Sequence, residues 1–330
     1  MNSFKKMISG KRWFAIVVAI LALGAVSSVL SPVFLDVDNF RGIILTTSVT
    51  GIMAVGLTFV IMTSGIDISI GGILFMTAGI FVTIFRDTQN FALALGLAIG
   101  ASALAGFLYG FLVYKFKMAP MITTLATYSI YRGYALHVTE ALNIAVPREY
   151  TFLGNGKIGS VPIPMIILFL VMIIGLYMFK KTRFGTYVMA LGNSSESAEE
   201  SHLPVKWTLI AAYFGAGITS GIAGIILVSR LGGLQGGLGI GLEFTVIAAV
   251  VLGGTKLTGG SGTIVGSVLG AIFLVIIDNV LTLVGASPYV FDSVRGAILL
   301  FAVIVDRVSA VRQSTLLKEQ KAKYIRQAAQ

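Results

Sequence analysis

The sequence predicts an all-α polytopic membrane protein with about ten transmembrane helices and both termini in the cytoplasm. Of the 330 residues, 56% are hydrophobic and only 12% are charged, and the mean hydropathy is +0.93. A soluble protein carries roughly 25% charged residues, about twice this share. Apolar runs recur along most of the chain, and a run of about 20 residues crosses a ~30 Å hydrocarbon core as a helix.

Apolar segments follow one another along the chain, separated by short polar stretches. One of them, 241–254, is short, follows the glycine-rich stretch GGLQGGLGIG at 232–241 and contains Glu243. It is expected to be either a full span or a broken, re-entrant helix, which is tolerated only where protein or water surrounds it. The approximate bounds of the ten segments are 13–33, 40–63, 66–85, 91–114, 119–139, 162–179, 207–229, 241–254, 262–284 and 289–306.

The distribution of basic residues predicts the orientation. If the N-terminus is cytoplasmic and the segments alternate, 17 of the 24 Lys and Arg residues fall on the cytoplasmic side. Cytoplasmic loops of membrane proteins are enriched in these residues, and the opposite orientation would reverse the ratio of 17 to 7. Residues 1–330 are therefore predicted to form a single transmembrane domain, with a cytoplasmic loop at about 180–206 and a basic cytoplasmic tail at about 307–330.

Several kinds of chemistry are excluded by what the sequence lacks. There is no cysteine, and the only histidines, His137 and His202, are far apart in the chain, so no metal site is predicted. No phosphate-binding loop occurs, so the chain is not expected to hydrolyse ATP by itself. We predict no catalytic residues and no cofactor, and we attribute the net charge of +10 to membrane topology rather than to nucleic-acid binding.

Ionisable residues inside the apolar segments are energetically costly, and each is a candidate for a functional role. The alternative is that each lies at a helix end, where its charge can reach water or free backbone groups. Arg295, in the last segment, is a further ionisable residue of this kind. The substrate-pathway candidates are Asp67, Ser69, Arg132, Glu243, Asp278 and Asn279.

Glycines recur at four-residue intervals in several segments. Such small faces allow helix backbones to approach closely in lipid, so we expect them to pack inside the bundle or against a second copy of the chain. The positions are Gly96, Gly100, Gly106, Gly110, Gly217, Gly221, Gly262, Gly266 and Gly270.

Four stretches together resemble one family, the membrane permeases of ATP-binding-cassette importers in the ribose, galactose and autoinducer-2 branch. TSGIDISIGG at 63–72 resembles the family signature GGIDLSVGS. KKTRFGTYVMALGNSSESAEESHLPV at 180–205 is similar to the family's cytoplasmic loop. GLEFTVIAAVVLGGTKLTGGSGTIVGSVLGA at 241–271 and the end of the chain at 278–306 also match. The resemblance covers nearly the whole chain in the same order.

The resemblance implies half of a membrane pore in the inner (plasma) membrane. Two identical or related permease chains would pair with ATPase subunits at the cytoplasmic face and receive a monosaccharide or a similar small polyol from an extracytoplasmic binding protein. It also implies a coupling helix at about 193–205, where Pro204 stands in place of the family's usual glycine. The coupling-helix candidates are Asn193, Ser194, Ser195, Glu196, Ala198, Glu199, His202, Leu203 and Pro204.

Two finer expectations concern single residues. Ser194 or Ser195 is expected to cap a short helix in the cytoplasmic loop, with acidic residues in its first turn. For Asp67 and Ser69 we favour a structural role, capping the next helix, over direct substrate contact.

Two other functions remain open from the residues alone. An ion-coupled secondary transporter of a small polar solute would need paired inverted repeats, and no convincing internal repeat is found. A membrane scaffold or sensor that transports nothing is the other alternative. The sequence does not identify the transported sugar or polyol.

Overall fold

The computed structural model describes residues 13–147, 150–287, 289–305 and 307–308, and these residues are mostly helical. The N-terminal basic residues and nearly all of the basic tail predicted at 307–330 lie outside this range. Six helices among the described residues are long and apolar enough to cross a membrane. The prediction of an all-α polytopic membrane protein is thereby confirmed.

A helix lies within each apolar segment identified in the sequence. In lipid, backbone polar groups must be satisfied within the chain, and an α-helix satisfies them within one segment. The helices are α1 (Trp13–Leu30), α2 (Val37–Met62), α3 (Ser69–Thr88), α4 (Phe91–Phe116), α5 (Pro120–Val138), α6 (Phe152–Asn155), α7 (Ile163–Lys181), α8 (Arg183–Asn193), α9 (Ser195–Glu200), α10 (Val205–Leu231), α11 (Leu242–Leu252), α12 (Ile264–Leu283) and α13 (289–305). A 3₁₀ turn at Pro32–Leu35 joins α1 to α2.

Two short strand pairs mark one end of the bundle. Strand β1 (Ile144–Ala145) pairs antiparallel with β4 (Gly233–Leu234), and β2 (Lys157–Ile158) pairs with β3 (Val161–Pro162). We call this end the hairpin end. The opposite end carries α8 and α9 together with the loop 253–263, and we call it the α8 end.

The core of the bundle is formed by α2, α3 and α10. Most of α2 and α3 is buried, whereas α7 and most of α4 present apolar side chains outward. Helix α10 packs against α2, α3 and α4. An apolar surface of this kind suits contact with lipid, so we assign the outward faces of α4 and α7 to the periphery.

Glycines set the close approach of α10 to its neighbours. A Cβ on Gly217 would lie 2.5 Å from the carbonyl oxygen of Ser102 in α4, and a Cβ on Gly221 would meet the Ser102 side chain. On α3, a Cβ at Gly72 would lie 2.8 Å from the carbonyl oxygen of Tyr128 in α5. Because backbone cannot yield as a flexible side chain can, these contacts leave no room for a larger residue.

Of the other predicted glycine faces, one packs against backbone and another makes no contact. Gly266 and Gly270 of α12 lie against the carbonyls of Gly253 and Ala249, next to and within α11, while Gly262 lies in the loop before α12. A Cβ on either Gly96 or Gly100 of α4 would meet nothing within 4 Å. These last two glycines therefore do not mediate packing within the part of the chain that the structure describes. Their helix is apolar on that face, which suits lipid or another protein chain.

Helix α11 is a half-helix. Its 11 residues span about 16 Å, half of a ~30 Å hydrocarbon core. The chain runs from β4 at the hairpin end through the non-helical residues 235–241 into α11, which ends at the loop 253–263. Residues 235–254 therefore connect the two ends of the bundle rather than returning to the same end, and the helical part is shorter than the predicted segment 241–254.

A second interruption separates α2 from α3 at residues 63–68. Asp67 and Ser69 are both buried there, and the Asp67 Oδ1 accepts hydrogen bonds from the Ser69 backbone N–H at 2.8 Å and from the Ser69 hydroxyl at 2.6 Å. The carboxylate thus satisfies donors at the start of α3. The N-cap of α3 is Ile68, so Asp67 does not cap the helix from the N-cap position as expected; it lies one residue earlier and bonds Ser69, the first residue of α3.

Gly217→Leu tests the close approach of α10 and α4. The new side chain must displace the Ser102 backbone, so the variant should lose about 1–3 kcal/mol of stability and unfold at a lower temperature in detergent. Gly215→Leu is the matched control on the same helix, because a Cβ at Gly215 meets nothing within 4 Å. Equal loss in both variants would contradict the packing assignment.

Asp67→Asn and Asp67→Ala test the role of the buried carboxylate. Asparagine keeps an Oδ1 acceptor for Ser69, whereas alanine leaves two buried donors without it, at a cost of about 1–3 kcal/mol. The asparagine variant should therefore unfold near the wild-type temperature and the alanine variant well below it. The assignment fails if the two variants are destabilised equally.

Candidate functional site

The predicted cytoplasmic loop forms two helices at the α8 end. Helix α8 ends at Asn193, and the six-residue α9 follows at once, with Ser194 as its N-cap. The Ser194 hydroxyl accepts a hydrogen bond from the Ser197 backbone N–H at 3.1 Å, and Glu196 lies in the first turn. This is the cap expected from the sequence, and it makes α9 a separate element rather than an extension of α8.

The remaining coupling-helix candidates bury one side of α9 or lie where the helix ends. Ala198 is its buried residue, and its carbonyl accepts a hydrogen bond from the Leu203 N–H at 3.0 Å. His202 adopts a left-handed conformation with φ of +55°, and Pro204 precedes the first residue of α10. The predicted helix at 193–205 is therefore shorter than expected, since α9 ends at Glu200 and 201–204 form a turn.

A groove of about 1070 Å³ lies beside α9. It runs between the end of α4, the start of α5 and the start of α10. Its wall combines basic and acidic side chains with a few apolar ones. Charged lining residues include Lys115, Lys117, Lys206, Glu196 and Glu199.

Ser64 joins three segments at the α8 end. Its hydroxyl lies 3.0 Å from the carbonyl of Gly192 at the end of α8 and 2.8 Å from the carbonyl of Thr258. A hydroxyl has one proton, so it donates to one of these carbonyls at a time. The Gly260 N–H also donates to the carbonyl of Met62 at 2.9 Å. We call these contacts the Ser64 junction.

Arg132 and Glu243 lie close together inside the bundle. The Arg132 guanidinium donates to the carbonyl oxygens of Gly236 and Leu238 and lies 4.5 Å from the centre of the Phe75 ring. Glu243 is 3% exposed and sits in the first turn of α11. Its Oε2 faces Gly71 of α3 and has no hydrogen-bond partner among the described residues.

Asp278 and Asn279 are located at the hairpin end, on α12. Asp278 forms an ion pair with Arg295, with Oδ2 2.8 Å from Nη2. Asn279 exchanges amide hydrogen bonds with Asn39 of α2 at 2.7 and 3.1 Å. Both side chains thus hold helices together, and neither contacts Arg132 or Glu243.

Some residues of these sites were missed by the sequence analysis. Ser64 is a small hydroxyl residue beside a glycine, a pattern common to many turns. Asn39 lies just outside the predicted segment 40–63, and Tyr128 and Phe75 look like ordinary apolar helix positions. Pairing across helices distinguishes them, and one sequence contains no signal for that pairing.

Comparisons with known proteins match this architecture to one family. Residues 39–303 match the family described as branched-chain amino acid transport system / permease component. The ribose import permease protein RbsC of Escherichia coli (strain K12) is 36% identical over 312 residues, covering 91% of this chain and 97% of that protein. RbsC of Bacillus subtilis (strain 168) is 36% identical over 283 residues, covering 85% and 88% of the two chains.

Another relative is named for a different sugar. The L-arabinose transport system permease protein AraH of Escherichia coli (strain K12) is 32% identical over 310 residues, covering 93% of this chain and 94% of that protein. No solved structure matches the chain. The match over residues 39–303, together with these relatives, confirms the resemblance read from the sequence motifs: the chain belongs to the branched-chain amino acid transport system permease family and is a multi-pass protein of the inner membrane.

Proposed function

We propose that this chain is the permease subunit of an ATP-binding-cassette importer that translocates a monosaccharide or a similar small polyol. The observation that carries the proposal is similarity over about nine-tenths of the chain to permeases named for ribose and L-arabinose. Both sugars are neutral pentoses. We therefore propose a class of substrate, small neutral sugars, rather than one particular sugar. An autoinducer-2-like polyol belongs to the same class.

The proposed topology has ten crossings with both termini in the cytoplasm. It is supported by one helix in each of the ten apolar segments and by the alternating course of the chain between the hairpin end and the α8 end. The α8 end then faces the cytoplasm, in agreement with the 17 basic residues assigned to that side. The hairpin end faces outward and has only short connections.

The α8 end is proposed to bind separate ATPase subunits, which supply the ATP hydrolysis that this chain lacks. The exposed α9 and the mixed-charge groove beside it offer a docking surface made of short, capped elements. The hairpin end would receive an extracytoplasmic substrate-binding protein. A second permease chain, identical or related, would complete the pore.

The Ser64 junction is proposed to transmit movement of α8 and α9 into the bundle. Through it, the end of α8 is tied directly to the segment 63–68, which leads into the buried start of α3. A displacement of α8 by the ATPase would therefore act on α3 without an intervening flexible loop. Packed helices respond to such a displacement by shifting as units.

Reconstitution tests the proposed function. The chain is co-expressed with the ATPase and binding protein encoded beside it, and uptake of radiolabelled D-ribose and L-arabinose into proteoliposomes is measured with and without ATP. We expect co-purification of the ATPase and uptake only when ATP and the binding protein are both present. Uptake by the lone chain without ATP would overturn the proposal in favour of an ion-coupled transporter.

Ser64→Gly tests the junction. Ser64 has a φ of +66°, which glycine adopts without strain, so the variant removes the CH2OH side chain without straining the backbone. The assembled complex should hydrolyse ATP near the wild-type rate but import several-fold less sugar per ATP. Ser261→Gly is the matched control in the neighbouring loop, because the buried Ser261 hydroxyl makes no hydrogen bond. Unchanged coupling in Ser64→Gly would remove the junction from the mechanism.

A further inference from the structure

A polar cluster of Tyr128, Arg132 and Glu243 lies where α3, α5 and the start of α11 meet. The Tyr128 ring and the Glu243 carboxylate both lie against Gly71 of α3, and Arg132 follows Tyr128 by one turn of α5. The close approach of Gly72 to the Tyr128 backbone fixes the position of α5 against α3. A phenol, a guanidinium and a carboxylate thus converge inside an otherwise apolar bundle.

Glu243 is incompletely satisfied in this cluster. Glu243 lies in the first turn of α11, where the helix N-terminus favours a negative charge. The second oxygen, Oε2, is buried without a partner against Gly71. Leaving a buried acceptor unpaired costs about 1–3 kcal/mol, more for a charged group. Fold stability alone gives no reason to keep this carboxylate.

Arg132 is held in place but not neutralised. Its guanidinium donates to two backbone carbonyls, and among the described residues it forms no ion pair with a carboxylate. A guanidinium has five N–H donors, so further donors remain for another acceptor. An arginine fixed by backbone carbonyls and by the Phe75 ring is preorganised to bind a ligand oxygen.

The surface next to the cluster is unusual for contact with lipid. Helix α5 is not among the six helices apolar enough to count as spans, and Ser129 and Gly133, neighbours of Tyr128 and Arg132, are exposed. Phe244, directly after Glu243, is 46% exposed. A polar helix face beside an exposed aromatic ring suits a path for a sugar, which presents hydroxyl groups on its edge and C–H groups on its faces.

We propose that the imported monosaccharide contacts this cluster during its passage, with Glu243 and Arg132 hydrogen-bonding its hydroxyl groups, Tyr128 beside them and Phe244 packing against its C–H face. The assignment rests on the proposed function. It selects two of the sequence candidates, Arg132 and Glu243. The other four already have partners: Asp67 bonds Ser69, Asp278 pairs with Arg295, and Asn279 bonds Asn39.

The ligand class follows from the donor and acceptor pattern. A carboxylate oxygen accepts a hydroxyl proton and a guanidinium donates to a hydroxyl oxygen, so adjacent hydroxyl groups satisfy both side chains together. A neutral polyol offers such groups without adding charge to the interior of the membrane. A sugar lacking one of these hydroxyl groups would leave Glu243 or Arg132 unpaired and should pass more slowly.

Glu243→Gln, Arg132→Lys and Tyr128→Phe in the full reconstituted complex test the assignment, with Glu140→Gln at the exposed hairpin end as control. Uptake of D-ribose and 2-deoxy-D-ribose is measured with saturating binding protein, alongside ATP hydrolysis. The binding protein itself prefers one sugar over the other, but it is the same in every complex. Its preference therefore cancels when the uptake ratio of a variant is divided by that of the wild type. We expect at least tenfold slower ribose uptake by Glu243→Gln and Arg132→Lys, with the preference for ribose over the deoxy sugar falling several-fold and assembly unchanged.

Three outcomes overturn the assignment. Wild-type uptake and preference in the Glu243 and Arg132 variants would show that the sugar does not touch the cluster. Failure of all three variants to assemble would show that the cluster serves folding. Sugar uptake by the lone wild-type chain without ATP would overturn the proposed function, and the assignment with it.

Discussion

The need to satisfy every backbone group inside a lipid-embedded bundle is the constraint on which the rest of this structure depends. Two segments among the described residues, 63–68 and 235–241, interrupt the helices within the bundle. Protein covers both: Thr124 reaches the Ile66 carbonyl at 3.4 Å, and Arg132 binds the carbonyls of Gly236 and Leu238. Irregular backbone is tolerated there because glycines let α3, α5 and α10 pack closely enough to enclose it.

Buried charged residues must also be satisfied within the bundle, and the acidic residues differ in whether they are. Asp67 bonds the first residue of α3, and Asp278 and Arg295 pair across two helices, so each is accounted for by local structure or helix packing. Glu243 keeps one carboxylate oxygen without a partner in a buried position. Because burying an unpaired acceptor is unfavourable, the residue whose buried oxygen no helix contact satisfies is the one whose presence calls for a ligand.

Hydropathy predicted the helical segments well and their interruptions poorly. Helix α4 begins at Phe91, as expected from the segment 91–114, because Asn90 caps it and its apolar run begins there. The segments 40–63 and 66–85 left only two residues between them, whereas the non-helical stretch covers 63–68. Ser64, Gly65 and Asp67 are individually compatible with a helix. Contacts from Gly192 and Thr258, more than 120 residues away, hold this stretch outside helical geometry.

The role of Ser194 could be predicted from the sequence and that of Arg132 could not, because the first depends on a local contact and the second on distant ones. Ser194 caps α9 through a bond to a residue three positions away, so its role is local and can be read from sequence. The carbonyls that hold Arg132 come from a glycine-rich stretch 104 and 106 residues further along the chain, so its role is set by the fold.

Ser64 and Glu243 also lie at two ends of one short connection. From the Ser64 junction the chain passes through the Asp67–Ser69 contact to Gly71, whose backbone lies against Glu243. The whole connection is eight residues long, and apart from the exposed Ser64 and the half-buried Ile66 its residues are buried. If an ATPase displaces α8, the proposed coupling carries that displacement to the start of α3. We expect the backbone against the Glu243 oxygen to shift with it and to open that oxygen to a ligand when ATP drives the movement.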